Sequence, residues 1–179
     1  LPDNLDLTKL CHDKPEHYPY ALISTVSVNT TNRRYNIFFA YPQQSLALDH
    51  NNTLVNETGL EFDKNSRFLD SLNTWWESLR IKRNATKNIN LPFTGGWFVF
   101  LSYELAKEIV PCLHLPAAQK HIPVALAVRC PAAIIVDRLE NKTIVVAESE
   151  YAHLLDEIEN DISAINNTAQ ENSAQEDHF

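Results

Sequence analysis

The pair Gly95-Gly96 constrains the fold more than any other feature, because the 179-residue chain contains only three glycines. The pair leads directly into an apolar and aromatic run at 97–101. Glycine has no Cβ, so a Gly-Gly pair in front of such a run indicates a sharp bend or a close approach to another backbone segment. The stretch from Gly96 to Tyr103 is almost free of polar residues. It therefore predicts a central strand that is covered on both faces.

Length and composition predict one soluble globular domain. Hydrophobic residues make up 44% and charged residues 21% of the chain, proportions that are ordinary for such a domain. The net charge is -8. This acidic balance argues against nucleic acid as a partner, because phosphate binding needs clustered lysine and arginine.

The sequence also predicts a cytoplasmic protein without a membrane partner. The longest apolar stretch, 122–136, is shorter than the roughly 20 residues of a membrane span, and two prolines and an arginine interrupt it. The N-terminus lacks the basic and apolar segments of a signal peptide. The cysteines are scattered and odd in number, which favours free thiols over a disulfide framework: Cys11, Cys112 and Cys130.

Residue periodicity predicts an α+β fold, with a mostly antiparallel β-sheet and amphipathic helices packed on it. Alternating and β-branched segments predict strands, some of them joined in hairpins, at 20–28, 35–39, 44–49, 122–130, 133–137 and 143–147. Helical spacing predicts helices at 65–79 and 150–165. The first helix places six apolar side chains on one face, which we expect to be buried against the sheet: Phe68, Leu69, Leu72, Trp75, Trp76 and Leu79. The polar segment 166–179 is predicted to be a linker or a disordered tail.

The residues alone predict no self-contained active site or metal site. Three glycines cannot build a phosphate-binding loop or a dinucleotide fingerprint. Cysteine and histidine lie close together at Cys11-His12 and again at 112–114, but zinc sites need at least three well-spaced ligands. Glu104 and Asp137 are far apart in the sequence, and we expect both to cap strand ends at the surface. We therefore predict no catalytic and no metal-binding residue in this chain.

Two segments around the glycine pair carry a family resemblance. Residues 91–96 read Leu-Pro-Phe-Thr-Gly-Gly, and residues 102–105 read Ser-Tyr-Glu-Leu. Both resemble signatures of the N-terminal domain of the large subunits of anthranilate synthase and aminodeoxychorismate synthase. In this resemblance Gly95, Gly96 and Tyr103 are structural motif residues. Weaker similarities in the same order extend it over 18–165.

The resemblance implies a domain of a chorismate-aminating enzyme. Ammonia from a glutamine amidotransferase subunit would attack magnesium-bound chorismate and give 4-amino-4-deoxychorismate for folate synthesis. The family's metal carboxylates, chorismate contacts and catalytic lysine belong to a C-terminal chorismate-binding domain, absent here, that would follow the linker at 166–179. The expected partners are that domain and the amidotransferase. Mg²⁺ is expected in the absent domain, no cofactor is expected in this chain, and domain 1–165 alone is expected to be catalytically silent.

Two departures from the family pattern bear on packing and on the branch of the family. Val99 stands where the family commonly has a third glycine, so packing of this strand is expected to differ. The early strand reads Leu-Ile-Ser-Thr at 22–25 and lacks the glutamate of feedback-inhibited anthranilate synthases. Its absence favours the aminodeoxychorismate branch, with anthranilate synthase as the alternative.

The resemblance further implies a tryptophan pocket between the end of the first strand and the start of the second. The matching residues are Ser24, Thr25, Arg34 and Tyr35. A hydroxyl and strand-edge amides would hold the amino and carboxylate groups of the ligand, with an aromatic ring against the indole. In the alternative interpretation, Arg34 is a solvated strand residue and Tyr35 is a core residue.

Two further functions stay open at this stage. One is a stand-alone regulatory module that binds an aromatic amino acid, which predicts a well-covered monomer and saturable tryptophan binding. The other is an interaction protein that exposes a sheet face to a partner subunit. The N-terminal domain of a synthase, by contrast, predicts an exposed apolar face where its catalytic domain would pack.

Overall fold

The computed structural model describes residues 6–23, 34–63, 65–80, 91–116 and 118–176. The strands in these ranges are β1 Tyr20–Leu22, β2 Tyr35–Ala40, β3 Ser45–Leu48, β4 Leu54–Asn56, β5 Gly96–Leu101, β6 Ala125–Cys130, β7 Ala132–Asp137 and β8 Lys142–Ala147. The helices are α1 Thr8–Asp13, α2 Phe68–Leu79, α3 Ala106–Ile109 and α4 Leu154–Glu176. The strands form two four-stranded sheets, and the chain divides into two compact units, one around each sheet.

The first unit contains the sheet with strand order β1-β2-β7-β8, in which all neighbours are antiparallel. The register of β2 and β7 places Tyr35 opposite Asp137, so the start of one strand meets the end of the other. α4 contributes Ile158 and Ile162, one helical turn apart, to a core that also contains Ile134 of β7. Apolar residues of α4 and of the sheet therefore hold this unit together.

The second unit contains the sheet with strand order β4-β3-β6-β5. α2 buries Phe68 and Trp75 in its core. The Glu108 carboxylate accepts hydrogen bonds from the backbone N–H groups of Phe68 (2.8 Å) and Leu69 (3.3 Å). A helix leaves its first N–H groups without intrahelical partners, and a carboxylate is favourable at that end. Glu108, in α3, thus fixes where α2 begins.

The structure confirms the α+β class, the antiparallel pairing and the predicted hairpin of β7 and β8. The predicted first strand ends early, at Leu22, and 24–33 lie outside the described residues. The prediction that the last helix ends at 165 is wrong, because α4 continues to Glu176. The segment after 165 is rich in alanine, glutamine and glutamate, which are good helix formers even without an apolar stripe. The division into a domain at 1–165 and a linker stays a prediction.

Candidate functional site

An arginine–carboxylate cluster joins the start of β2 to the turn between β7 and β8. Arg34 Nε donates hydrogen bonds to both carboxylate oxygens of Asp137, each at 2.8 Å. Its Nη2 also pairs with Asp137 and, at 2.6 Å, with Glu140 Oε1. The β2–β7 register explains this placement, since Arg34 directly precedes Tyr35, which lies opposite Asp137. The Arg34 guanidinium carbon also lies 5.0 Å from the centre of the Tyr35 ring, a cation–π contact.

Asp137 is the buried acceptor of this cluster, with 3% of the residue exposed. Its Oδ1 also accepts the backbone N–H groups of Leu139 (3.0 Å) and Glu140 (3.2 Å). Hydrogen bonds from Arg34 hold the pKa of the Asp137 carboxyl below its ordinary value, since they favour the charged form. Asp137 caps the end of β7 as predicted, but the prediction that it does so at the surface is wrong, because the residue is buried. The sequence signal for this ion pair has two parts. An aspartate ends one apolar strand, and an arginine stands just before the strand that pairs with it in antiparallel fashion.

The structure brings together two of the four residues predicted for a tryptophan pocket. Arg34 and Tyr35 are adjacent at the start of β2, and the Arg34 guanidinium is already bound to two carboxylates. Ser24 and Thr25 lie outside the described residues. The pocket as a whole stays a prediction.

The glycine pair makes room for a carboxylate within the first unit. Gly95 and Gly96 have φ values of +107° and +155°, a region that residues with a Cβ rarely adopt. A Cβ on Gly95 would overlap the side chain of Glu148, while one on Gly96 would lie 3.4 Å from the Phe93 ring. Phe93 in turn contacts Phe39 of β2 edge to face, with ring centres 5.2 Å apart. A close approach at the glycine pair is present, but the prediction that another backbone segment approaches is wrong, because the neighbour of Gly95 is the side chain of Glu148.

The strand that follows the glycine pair is not covered as predicted. Among the strands of the described residues, β5 lies at the edge of its sheet and has β6 as its neighbour. Val99 is 44% and Leu101 51% exposed, and Tyr103 just beyond the strand is 75% exposed. The expectation of a central strand covered on both faces is therefore wrong for this chain. An apolar run indicates that a surface needs a cover, but it does not say which segment supplies the cover.

An apolar groove lies between α2 and β5 in the second unit. It encloses about 330 Å³ and is lined by Leu69, Leu72, Asn73, Trp76, Trp97 and Val99. Trp76 is 41% exposed, so the prediction that both tryptophans of α2 belong to the buried stripe is wrong. Successive helix residues differ by about 100° around the axis. Trp75 therefore packs in the core while Trp76 lies at the side of the helix.

Trp97 connects the groove with the core of the second unit. Its ring contacts Trp75 edge to face, with centres 5.5 Å apart, and the Arg129 guanidinium lies 4.7 Å from its ring centre. The Trp97 indole Nε1–H is buried, and no acceptor for it is found in the described part of the chain. A buried donor without a partner is costly, because it has lost its hydrogen bonds to water.

The described residues contain neither a cluster of metal ligands nor a membrane-spanning helix. In those ranges no three histidine, cysteine, aspartate or glutamate side chains are placed to hold a metal ion. No helix there is long and apolar enough to cross a membrane.

The fold resembles part of the solved structure of an enzyme. No protein-family model matches the chain, and no curated protein matches it. Among the solved structures, anthranilate synthase component I from Streptococcus pneumoniae TIGR4 matches with a TM-score of 0.53 and 16% identity. The chain has the fold of a segment of that synthase subunit. The match covers 90% of this chain but 34% of the synthase chain, so this chain spans about a third of the synthase's length.

Proposed function

We propose that this chain is the N-terminal domain of aminodeoxychorismate synthase component I. The fold likeness to anthranilate synthase component I carries the proposal, because it covers 90% of this chain and 34% of the synthase. The complete enzyme would aminate chorismate to 4-amino-4-deoxychorismate for folate synthesis, in the cytoplasm. This domain alone would be catalytically silent, with chorismate and Mg²⁺ bound by a C-terminal domain and ammonia supplied by a glutamine amidotransferase subunit.

The choice between the two branches of the family rests on the end of the first strand. Leu22-Ile23-Ser24-Thr25 lacks the glutamate that feedback-inhibited anthranilate synthases carry in this segment. This supports the aminodeoxychorismate branch. The alternative is the N-terminal domain of anthranilate synthase component I, which would serve tryptophan synthesis.

We also propose that the end of β1 and the start of β2 form a tryptophan pocket. A hydroxyl of Ser24 or Thr25 would hold the amino acid backbone, and the Tyr35 ring would pack against the indole. The ion pairs of Arg34 with Asp137 and Glu140 give Arg34 a positioning role in this proposal. Through its cation–π contact it would hold the Tyr35 ring in place. A chain that binds tryptophan without any catalytic partner would instead favour the stand-alone regulatory module.

The test is an amination assay on the protein at the natural length of its gene product. Native-length protein, the amidotransferase subunit, glutamine, Mg²⁺ and chorismate are combined, and the products are separated and identified. We expect 4-amino-4-deoxychorismate from the native-length protein and no turnover from the 179-residue chain. Anthranilate as the product would contradict the proposed branch. Absence of any aminated product would contradict the proposed function.

A further inference from the structure

A polar cluster around Asp161 of α4 joins the N-terminal segment 6–18 to the rest of the first unit. We define this Asp161 cluster by the titratable groups that meet there from the N-terminal segment, the residue after β2 and α4: Lys14, His17, Tyr18, Tyr41, Glu157 and Asp161. Asp161 is 8% exposed, and its carboxylate pairs with Lys14 Nζ. It also accepts hydrogen bonds from the hydroxyls of Tyr18 at 2.7 Å and Tyr41 at 3.4 Å. A carboxylate buried this deeply requires such partners, because it has lost its water.

Tyr41 holds the N-terminal segment in place at this cluster through a strained backbone. Its φ is +54°, a left-handed value that a bulky residue rarely adopts. The Tyr41 backbone N–H donates a hydrogen bond to the carbonyl oxygen of His17 at 2.7 Å, and the two rings are stacked with centres 4.5 Å apart. Strained backbone persists only where the surrounding contacts fix it. These contacts therefore fix the position of His17 beside Asp161.

His17 is the member of the cluster whose charge can change near neutral pH. Its Nδ1 is buried, has no hydrogen-bond partner within the described ranges, and lies 4.0 Å from Asp161 Oδ2. The side chain as a whole is 38% exposed, so the ring can exchange a proton with solvent. Histidine is the side chain that ordinarily gains and loses its proton between about pH 5 and 8. Burial raises the pKa of both Tyr18 and Tyr41 above the ordinary value of tyrosine, so both hydroxyls stay neutral in that range.

The placement of the charges decides the sign of the effect of protonation. Both carboxylates of the cluster belong to α4, where Glu157 lies one helical turn before Asp161 and shares a hydrogen bond with Tyr41. Lys14 belongs to the same segment as His17, so repulsion between these two side chains exists whether or not the segment is docked. Docking therefore mainly adds the attraction between His17 and the carboxylates of α4. This attraction is larger when His17 is protonated, so the docked state favours the protonated form.

We infer that the Asp161 cluster is a pH-sensitive contact, in which protonation of His17 strengthens the docking of segment 6–18 on α4. By linkage, the added stabilisation is fully present where histidine is protonated, and it is lost as pH rises through the range in which histidine loses its proton. The segment also buries Leu7, Leu10 and Tyr18 in the core of the first unit. The cluster therefore modulates docking and does not create it. The inference does not depend on the proposed function.

Amide hydrogen exchange in the native-length protein tests the inference, because protection of segment 6–18 reports how often the segment opens. Exchange is measured at about pH 5.5 and about pH 8, on either side of the range in which histidine titrates. Each rate is divided by the rate of the unfolded segment at the same pH. We expect the segment to be about two- to fivefold better protected at the lower pH, the size typical of a partly exposed ion pair. The amides of β7 at 132–137 serve as the internal reference and should not show this change.

Matched histidine substitutions separate the proton from the ring. His17→Gln should give equal protection at both pH values. His12→Gln, on the same segment but with a side chain that is 89% exposed and pairs with Asp13, should keep the wild-type ratio. Loss of ring stacking alone would lower protection by the same factor at both pH values, so the ratio isolates the effect of the proton.

Glu157→Gln, at an exposed position of α4, is a second variant in case His17→Gln does not fold, and it should reduce the ratio. Equal protection of the wild-type segment at both pH values would overturn the inference. So would a wild-type ratio in a folded His17→Gln protein or, if that variant does not fold, in Glu157→Gln. A change of the same size in β7 would also overturn it, because pH would then act on the whole unit.

Discussion

Replacing Gly95 by alanine tests why this position is glycine. Two costs add at this site. An alanine at φ +107° would have to adopt a left-handed backbone conformation, which destabilises the folded state by roughly 1–2 kcal/mol. Its Cβ would overlap the Glu148 side chain, and forcing extra volume into a filled space costs about 1–3 kcal/mol. We therefore expect Gly95→Ala to lower the free energy of unfolding by about 2–5 kcal/mol.

Gly59 provides a matched control within the same chain. Gly59 also has a positive φ, +78°, but a Cβ there meets no atom within 4 Å. Gly59→Ala should therefore cost only the backbone part, roughly 1–2 kcal/mol. The difference between the two substitutions measures the overlap with Glu148.

A double-mutant cycle with Glu148→Ala assigns that difference to one contact. Removing the Glu148 side chain relieves the overlap, so Gly95→Ala should cost at least about 1 kcal/mol less in the Glu148→Ala background. Gly59→Ala should cost the same in both backgrounds. Urea unfolding followed by far-ultraviolet circular dichroism gives all the free energies by linear extrapolation. Equal costs at Gly95 and Gly59, or no coupling between Gly95 and Glu148, would refute the reasoning.

Three further predictions concern single groups. Because the Asp137 pKa is lowered in the folded state, its contribution to stability is present above the ordinary value of 3.8 and is lost as pH falls through the folded pKa. Asp137→Asn should therefore flatten the acid limb of a plot of urea midpoint against pH, and a limb parallel to that of the wild type would contradict this. Glu108→Ala should lower the free energy of unfolding by about 1 kcal/mol through loss of the α2 cap, and an unchanged urea midpoint would show that the cap contributes nothing. Tryptophan titrated into the native-length protein in a calorimeter should bind saturably, and Tyr35→Ala should weaken that binding several-fold; no saturation would contradict the proposed pocket.

Local patterns were sufficient to predict the fold class and several elements. The apolar residues at 133–137 and 143–147, separated by a polar turn, predicted the hairpin that β7 and β8 form. The stripe of α2 predicted that Phe68 and Trp75 are buried. These features depend on alternation and helical spacing, which are properties of neighbouring residues.

Features that depend on distant residues were not predicted. The burial of Asp137 depends on its register with β2, which brings Arg34 to the turn. The position of β5 at a sheet edge depends on which strands pair, and its composition resembles that of a strand with two covered faces. Glu148 was not recognised as the neighbour of Gly95, because 53 positions separate them in the sequence. A single sequence contains no direct signal for such pairs.

The size of the native protein in its source cells tests the central claim most directly. An antibody raised against the 179-residue chain is used to detect the protein in a lysate separated by mass. The proposed function predicts a species of more than twice the mass of this chain, with 4-amino-4-deoxychorismate synthase activity when it is purified. A species with the mass of the 179-residue chain itself would contradict the account, and the stand-alone tryptophan-binding module would then take its place.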